Sequence, residues 1–185
     1  YNGSKVGIVS MGAVGQLVCE RLFQMNVDVF AYDPLAPNTI FEEYGVKRVG
    51  SLAELFRISN VVSLHTPLLP ETMGMITGAL LRLMPPSGVL INTARGGLLA
   101  EAEVLEVLKE RPDLYAVLDV LVDEPNFDTS PFASLPNVFL TSHIAGSLGN
   151  ECHRLGDYAV EEATRFLAKK TALDPVLREN IELMA

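Results

Sequence analysis

The chain has 185 residues, 49% of them hydrophobic and 20% charged, with a formal net charge of −9. That length suits one folded domain burying roughly 70% of its unfolded surface, and the composition is that of a globular chain rather than a disordered one. The acidic balance argues against a nucleic-acid surface, which needs clustered Lys and Arg, and no apolar run reaches the roughly 18 residues of a membrane span. Cys19 and Cys152 lie far apart with no CxxC spacing, so both read as reduced thiols of a cytoplasmic protein. His65, His143 and His153 show no metal-ligand spacing, and no metal is expected. The chain begins at Tyr1 with neither a methionine nor a signal-peptide pattern, and reads as a piece of a longer polypeptide.

Apolar runs and amphipathic stretches alternate from the start. Residues 6–9 predict a strand, and Ser10-Met11-Gly12-Ala13-Val14-Gly15 a glycine turn that opens a helix with Val14, Leu17, Val18 and Leu22 on one face. Residues 27–32 predict a second strand, closed by Asp33, and 46–49 a short third one. Ser51 caps a helix running through Leu55, with Glu54 at the capping-box position. A buried strand over 61–64 ends in the His65-Thr66-Pro67 loop, and a short helix over 77–84 is stopped by Pro85-Pro86-Ser87-Gly88. Strands over 89–92, 115–119 and 138–140, a helix over 101–110 and a long helix over about 148–169 complete the series. The alternation implies an α/β fold, a doubly wound parallel sheet covered on both faces. A dinucleotide-binding domain is placed at 1–170, followed by a C-terminal segment at 171–185.

Strand, glycine turn, helix start and an acid about 20 residues on form the fingerprint of a dinucleotide-binding βαβ unit. Gly12 lets backbone N–H groups approach a pyrophosphate with no Cβ in the way, and Gly15 lets the helix pack closely on the strand. The helix N-terminus offers unpaired donors and partial positive charge to the anion. Asp33 is placed to accept both hydroxyls of the adenosine ribose. Its charge, about 4 Å from a 2′-phosphate, would cost on the order of 4 kcal/mol at an effective dielectric of about 20, so NAD is predicted over NADP.

Ligands of such sheets bind beyond the carboxyl ends of the strands. The segments there are 10–15, Asp33, 65–67, 93–97, 119–124 and 141–146, and three of their residues could act together. Arg95 leaves a strand into Gly96-Gly97, where its planar fork could hold a carboxylate. Glu124 lies five positions after Asp119 in a loop stiffened by Pro125. His143 stands between a strand and a helix, and an imidazole titrates near neutrality, which suits proton exchange.

At these residues the chain resembles the D-isomer-specific 2-hydroxyacid dehydrogenases, over residues 3–167. The motifs that carry the resemblance are His65-Thr66-Pro67-Leu68 with Pro70-Glu71-Thr72, Asn92 to Gly97, Leu118-Asp119-Val120 with Glu124-Pro125, and Leu135-Pro136-Asn137-Val138 running into His143-Ile144-Ala145-Gly146. The resemblance implies hydride transfer between the nicotinamide of NAD and C2 of a D-2-hydroxy acid or 2-oxo acid. Arg95 would orient the substrate carboxylate, His143 would exchange the hydroxyl proton, and Glu124 would hold the imidazole and stabilise its protonated form. Asp119 would approach the nicotinamide carboxamide. Gly12, Ala13, Val14, Gly15, Asp33, Thr66, Pro67, Thr72, Thr93 and Ala94, with Arg95 and His143, would line the cofactor, and Gly146 would give the nicotinamide close access. A homodimer through this domain is also implied. So is a second domain built from chain before and after this one, with 171–185 as the start of the return to it. Without that domain the isolated polypeptide is expected to bind NAD(H) but turn over little. Two positions depart from the family pattern: Ser10 replaces the first loop glycine, and Ser142 stands where a proline commonly precedes the histidine.

Two other classes stay open at this point. One is a dinucleotide-sensing or corepressor-like binding module on the same fold, which would not require an acid–base pair. The other is formate or phosphite oxidation; formate dehydrogenases of this fold resemble the pattern but have glutamine in place of the acid, so Glu124 disfavours formate. Among the remaining residues, His65 reads as structural, at best near the adenine, and His153 as surface or interface. Asp123 and Glu101 read as solvated charges, and the stripe Leu173, Leu177, Ile181 and Met184 as packing or interface.

Overall fold

The computed structural model describes residues 3–178, so Ile181 and Met184 lie outside the described residues. The strands β1 (Lys5–Val9), β2 (Asp28–Tyr32), β3 (Lys47–Arg48), β4 (Val61–Leu64), β5 (Val89–Asn92), β6 (Tyr115–Leu118) and β7 (Val138–Leu140) form one sheet. Their order is β3-β2-β1-β4-β5-β6-β7 and every pairing is parallel. Parallel strands need crossover connections, and here these are α1 (Ala13–Phe23), α2 (Asn38–Glu43), α3 (Leu52–Ile58), α4 (Gly78–Arg82) and α5 (Glu101–Glu110). The sheet and these helices belong to the first of two compact units, Tyr1–His143; the second is Ile144–Ala185.

Side-chain alternation along β2 assigns the two faces. Val29 and Ala31 join the core with Val6, Ile8, Cys19 and Phe41, while Phe30 and Tyr32 pack with the larger core built on Leu55, Phe56, Leu90, Val104 and Leu118. So α1 and α2 cover one face near β1 and β2, and α3 to α5 cover the other. On the α1 side the sheet beyond β4 is less covered, with Ile91 and Val117 half-buried and Phe139 59% exposed. Cys19 is buried as a free thiol facing Met11 Sδ at 3.7 Å, and burial pushes it up to about 11.

The helix starts follow local chemistry. Ser51 Oγ accepts from Glu54 N at 3.2 Å, and Glu54 Oε2 in return accepts from Gly50 N at 3.0 Å, a capping box closed one residue earlier than usual. Thr77 caps α4 through Leu80 N at 3.3 Å, but that helix ends at Arg82 instead of reaching 84. The six-residue α2 carries no pattern long enough to predict. In the second unit, α6 (Asn150–Leu167) is followed by a segment that turns back along it. Arg165 donates to Thr171 O at 2.6 Å, Glu162 accepts from Leu173 N at 3.1 Å, and Leu173 and Leu177 remain exposed.

The face assigned to α1 needs correction. Val14 and Leu17 are 60% and 54% exposed; the stripe that turns inward is Gly15, Val18, Cys19 and Leu22. The close approach at Gly15 sets this rotation. A Cβ there would stand 2.2 Å from Ser10 O and 3.6 Å from Ile8 Cγ2, so glycine faces the strand and its i+3, i+4 and i+7 neighbours follow it. Gly15→Ala is therefore expected to destabilise the fold by about 3 kcal/mol, measured as a lowered denaturation midpoint at unchanged m.

Candidate active site

The strand order reverses between β1 and β4, and the two loops leaving these strands are joined at the backbone. His65 N donates to Val9 O at 2.9 Å, and Thr66 Oγ1 reaches the same carbonyl at 3.4 Å. Beside them the glycine loop departs, with Ser10 N on Tyr32 O at 2.9 Å. Gly12 is exposed and nothing lies within 4 Å of where its Cβ would stand. Gln16 N returns to Gly12 O at 3.0 Å, so the amides of Ala13, Val14 and Gly15 have no acceptor within α1. An open cradle of backbone donors at a helix N-terminus fits a dinucleotide pyrophosphate.

Asp33 is buried just past β2. Its Oδ1 accepts from Leu35 N at 2.8 Å and Ala36 N at 3.0 Å, and its Oδ2 accepts from Met11 N at 2.8 Å and Ser10 Oγ at 3.2 Å. The acid thus fastens the glycine loop to the end of β2. Thr72 does similar work further along. Its hydroxyl donates to Pro67 O at 2.7 Å and accepts from Leu69 N at 2.8 Å, which closes the loop carrying Pro67. His65 Nε2 lies 3.0 Å from Ser63 Oγ, and burial holds the imidazole below its ordinary value.

The second half of the rim follows β5, β6 and β7, whose ends are in register at Asn92, Leu118 and Leu140. Buried Asn92 accepts from Ala94 N at 3.1 Å and donates to Arg95 O at 2.9 Å, so Thr93, Ala94 and Arg95 form a turn built on one amide. The exposed Arg95 guanidinium donates to Ala94 O at 2.7 Å and has no carboxylate partner among the described residues. The next residue, Gly96, is pressed against the loop after β6: a Cβ there would stand 2.0 Å from Leu121 C. The residue after Leu121 carries Glu101's anchor, with Val122 N donating to Glu101 Oε1 at 2.8 Å.

That loop delivers Glu124, whose Oε2 lies 2.9 Å from His143 Nδ1, both side chains being partly exposed. His143 is held from behind, its backbone N donating to Asp119 O at 2.9 Å, and it adopts φ 55°, a left-handed conformation uncommon outside glycine. Asp119 itself is buried, with Oδ1 accepting from Thr141 Oγ1 at 2.5 Å. A carboxylate on Nδ1 fixes the tautomer and leaves Nε2 as the atom that can exchange a proton with a ligand.

The sequence-derived residues therefore fall into three groups. Glu124 and His143 touch. Gly12, Asp33, Thr66, Pro67, Thr72, Thr93, Ala94, Arg95 and Asp119 lie on loops at the carboxyl edge of the same sheet, and Ala13, Val14 and Gly15 form the first turn of α1 at that edge. Gly146 lies in the second unit and is not part of what the first unit gathers. Two residues were underrated from sequence. Glu101 is no solvated charge but the support of the loop bearing Glu124, and Asn92 shapes the turn bearing Arg95. An asparagine ending a buried strand was the available signal for the latter; nothing local announces the former.

A seven-stranded parallel sheet with an open glycine turn at its switch point defines a dinucleotide-binding domain of the doubly wound α/β class. Residues 1–145 match the family model described as D-isomer specific 2-hydroxyacid dehydrogenase, NAD binding domain. The chain belongs to that family. It is 32% identical over 179 residues to a D-3-phosphoglycerate dehydrogenase of Methanocaldococcus jannaschii, covering 97% of this chain and 34% of that protein. It is 35% identical over 170 residues to a glycerate dehydrogenase of Methylorubrum extorquens, covering 91% and 51%. Among solved structures, the holo form of Rhodotorula graminis D-mandelate dehydrogenase matches with a TM-score of 0.83 at 29% identity, over 95% of this chain and 51% of that one. The chain spans about a third to a half of the length of these relatives.

Two outcomes follow from the local geometry. Glu101→Ala removes the acceptor of one amide, so hydrogen exchange at Val122 should quicken about tenfold, the effect of one hydrogen bond, while amides within β6 stay as slow as before. The depressed His65 means that folding opposes its protonation. The unfolded chain takes up that proton as pH falls through 6.5, the folded one only lower, so stability is lost with falling pH from that point. In urea titrations His65→Gln should lose less stability than wild type between about pH 6.5 and the onset of carboxylate titration.

Proposed function

We propose that this domain serves an NAD-dependent oxidoreductase that interconverts D-2-hydroxy acids and 2-oxo acids. The observation that carries the reading is the Glu124–His143 contact of 2.9 Å on the rim past β6 and β7. Nicotinamide, when bound, supplies the hydride acceptor or donor. His143 Nε2 takes the C2 hydroxyl proton during oxidation and returns it during reduction, and Glu124 on Nδ1 stabilises the imidazolium in between. Arg95 supplies a planar fork for the substrate carboxylate and polarises the reacting carbonyl, a role suited to an exposed guanidinium that has no carboxylate partner among the described residues. Asp119 orients the nicotinamide carboxamide, Thr66, Pro67, Thr72, Thr93 and Ala94 line the cofactor with Gly12 to Gly15, Asp33 receives the adenosine ribose, and Gly146 gives the nicotinamide ring room. A sensing module would not need a histidine paired to a carboxylate at the ligand rim, which favours the enzyme.

The same reading includes a working state as a cytoplasmic homodimer; the two free cysteines support the reducing compartment. It also takes residues 1–170 as the cofactor domain and 171–185 as the beginning of a return to a substrate domain. The relatives' names point to glycerate and D-3-phosphoglycerate as the first substrates to try. With the complete polypeptide and NADH, His143→Gln is expected to lower kcat about 10²- to 10⁴-fold and Glu124→Gln by less, with NADH affinity within about threefold of wild type for both. NADH should bind more tightly than NADPH. Wild-type turnover in His143→Gln against a panel of 2-oxo acids, or a preference for NADPH, would refute the assignment.

A further inference from the structure

Ser10 occupies the place of the first loop glycine at φ 78°, a conformation that costs a residue with a Cβ. Its hydroxyl makes a hydrogen bond to Asp33 Oδ2 at 3.2 Å. A carboxylate offers about four acceptor positions, and those of Asp33 are taken by Leu35 N, Ala36 N, Met11 N and Ser10 Oγ. The three amides cannot leave without dismantling the loop. The serine hydroxyl makes the longest of these bonds, and a rotation about one side-chain torsion releases it.

We propose that Ser10 sets the dinucleotide affinity of this chain: its hydroxyl occupies the Asp33 Oδ2 position that an adenosine-ribose hydroxyl must take, so binding exchanges one hydroxyl for the other. The proposal rests on Asp33 receiving the adenosine ribose, as set out above. With glycine at this position only water would have to be displaced from Oδ2. With serine, the ligand must break an intramolecular bond, and the left-handed residue also loses the contact that offsets its conformation. Ser10 is therefore a brake on cofactor binding built into the glycine turn, and its effect is confined to the adenosine end of the ligand.

The test is calorimetric titration with NADH and with two analogues whose adenosine ribose lacks the 2′- or the 3′-hydroxyl. Ser10→Ala and Ser10→Gly should each bind NADH about two- to tenfold more tightly than wild type, the span of one net hydrogen bond. The gain should vanish for whichever analogue lacks the hydroxyl that replaces the serine. Melting temperatures separate the two variants, since Ser10→Ala keeps the left-handed strain and loses the bond, and should melt below Ser10→Gly. If both variants bind NADH no more tightly than wild type, Ser10 is no brake and the proposal falls alone. If Ser10→Gly, with Oδ2 vacated, binds both deoxy analogues as tightly as NADH, the ribose contact of Asp33 falls, and the proposal with it.

Discussion

The parallel register of the sheet is the constraint on which the site depends. Because all seven strands run one way, every strand leaves the sheet at the same edge, and each following loop begins where its neighbour's begins. Ser10, Asp33, His65, Thr93, Asp119 and Thr141 each stand first after a strand. No long-range recognition is needed to gather them; the backbone ladder does so once apolar runs are buried on both faces. The reversal of strand order between β1 and β4 then opens a crevice where two loops diverge, and it is there that the glycine turn sits.

Gathering is not positioning, and the fine placement comes from buried polar groups that satisfy loop backbone. Asn92, Asp33 and Thr72 each bind two or more backbone groups of the loop they begin or close. Asp119 binds both partners across one gap: its carbonyl takes His143 N, and its carboxylate takes Thr141 Oγ1. Removing such a group would leave its loop amides without their acceptor, a cost of about 1–3 kcal/mol for each one that is buried. Where two loops must lie closer than side chains allow, glycine intervenes, as Gly96 does against Leu121. The acid loop is thus pressed from one side by Gly96 and tied from the other by Glu101. Glu124 inherits its direction from both.

Much of this was legible in the sequence, because strand identity depends on apolar runs and those survive tertiary packing. All seven strands fell within a residue of their predicted ends, and the 101–110 helix matched its bounds. β3 shrank to Lys47–Arg48 because only those residues pair with β2 at an exposed edge. The rotation of α1 was misread for an equally physical reason. Hydropathy counts Val14 and Leu17 as candidates for burial, but distance of approach decides, and glycine at position 15 permits the closest approach. Glu101 was misread because its partner lies 21 residues away on a backbone amide, a pairing that no local spacing encodes.

The backbone itself marks where the rim departs from economy. Among the described residues, five non-glycine residues adopt positive φ: Ser10, Asn26, Ser87, His143 and Lys169. Asn26 and Lys169 come shortly after α1 and α6, where chains commonly leave a helix through a left-handed residue, and Ser87 lies in the turn that Gly88 N closes on Pro85 O at 3.1 Å. Ser10 and His143 instead follow strands, where extended backbone is the cheaper continuation. Each is held by hydrogen bonds to a neighbouring strand end or the loop after it, Ser10 by Tyr32 O and Asp33, His143 by Asp119 O and Glu124. Strain persists only where the surroundings over-determine it, and both instances coincide with residues assigned to ligand or chemistry. With φ 55° three residues past β7 and its amide on Asp119 O, His143 is anchored to the end of β6, and its Nδ1 meets Glu124 Oε2 at 2.9 Å on the loop that follows that strand.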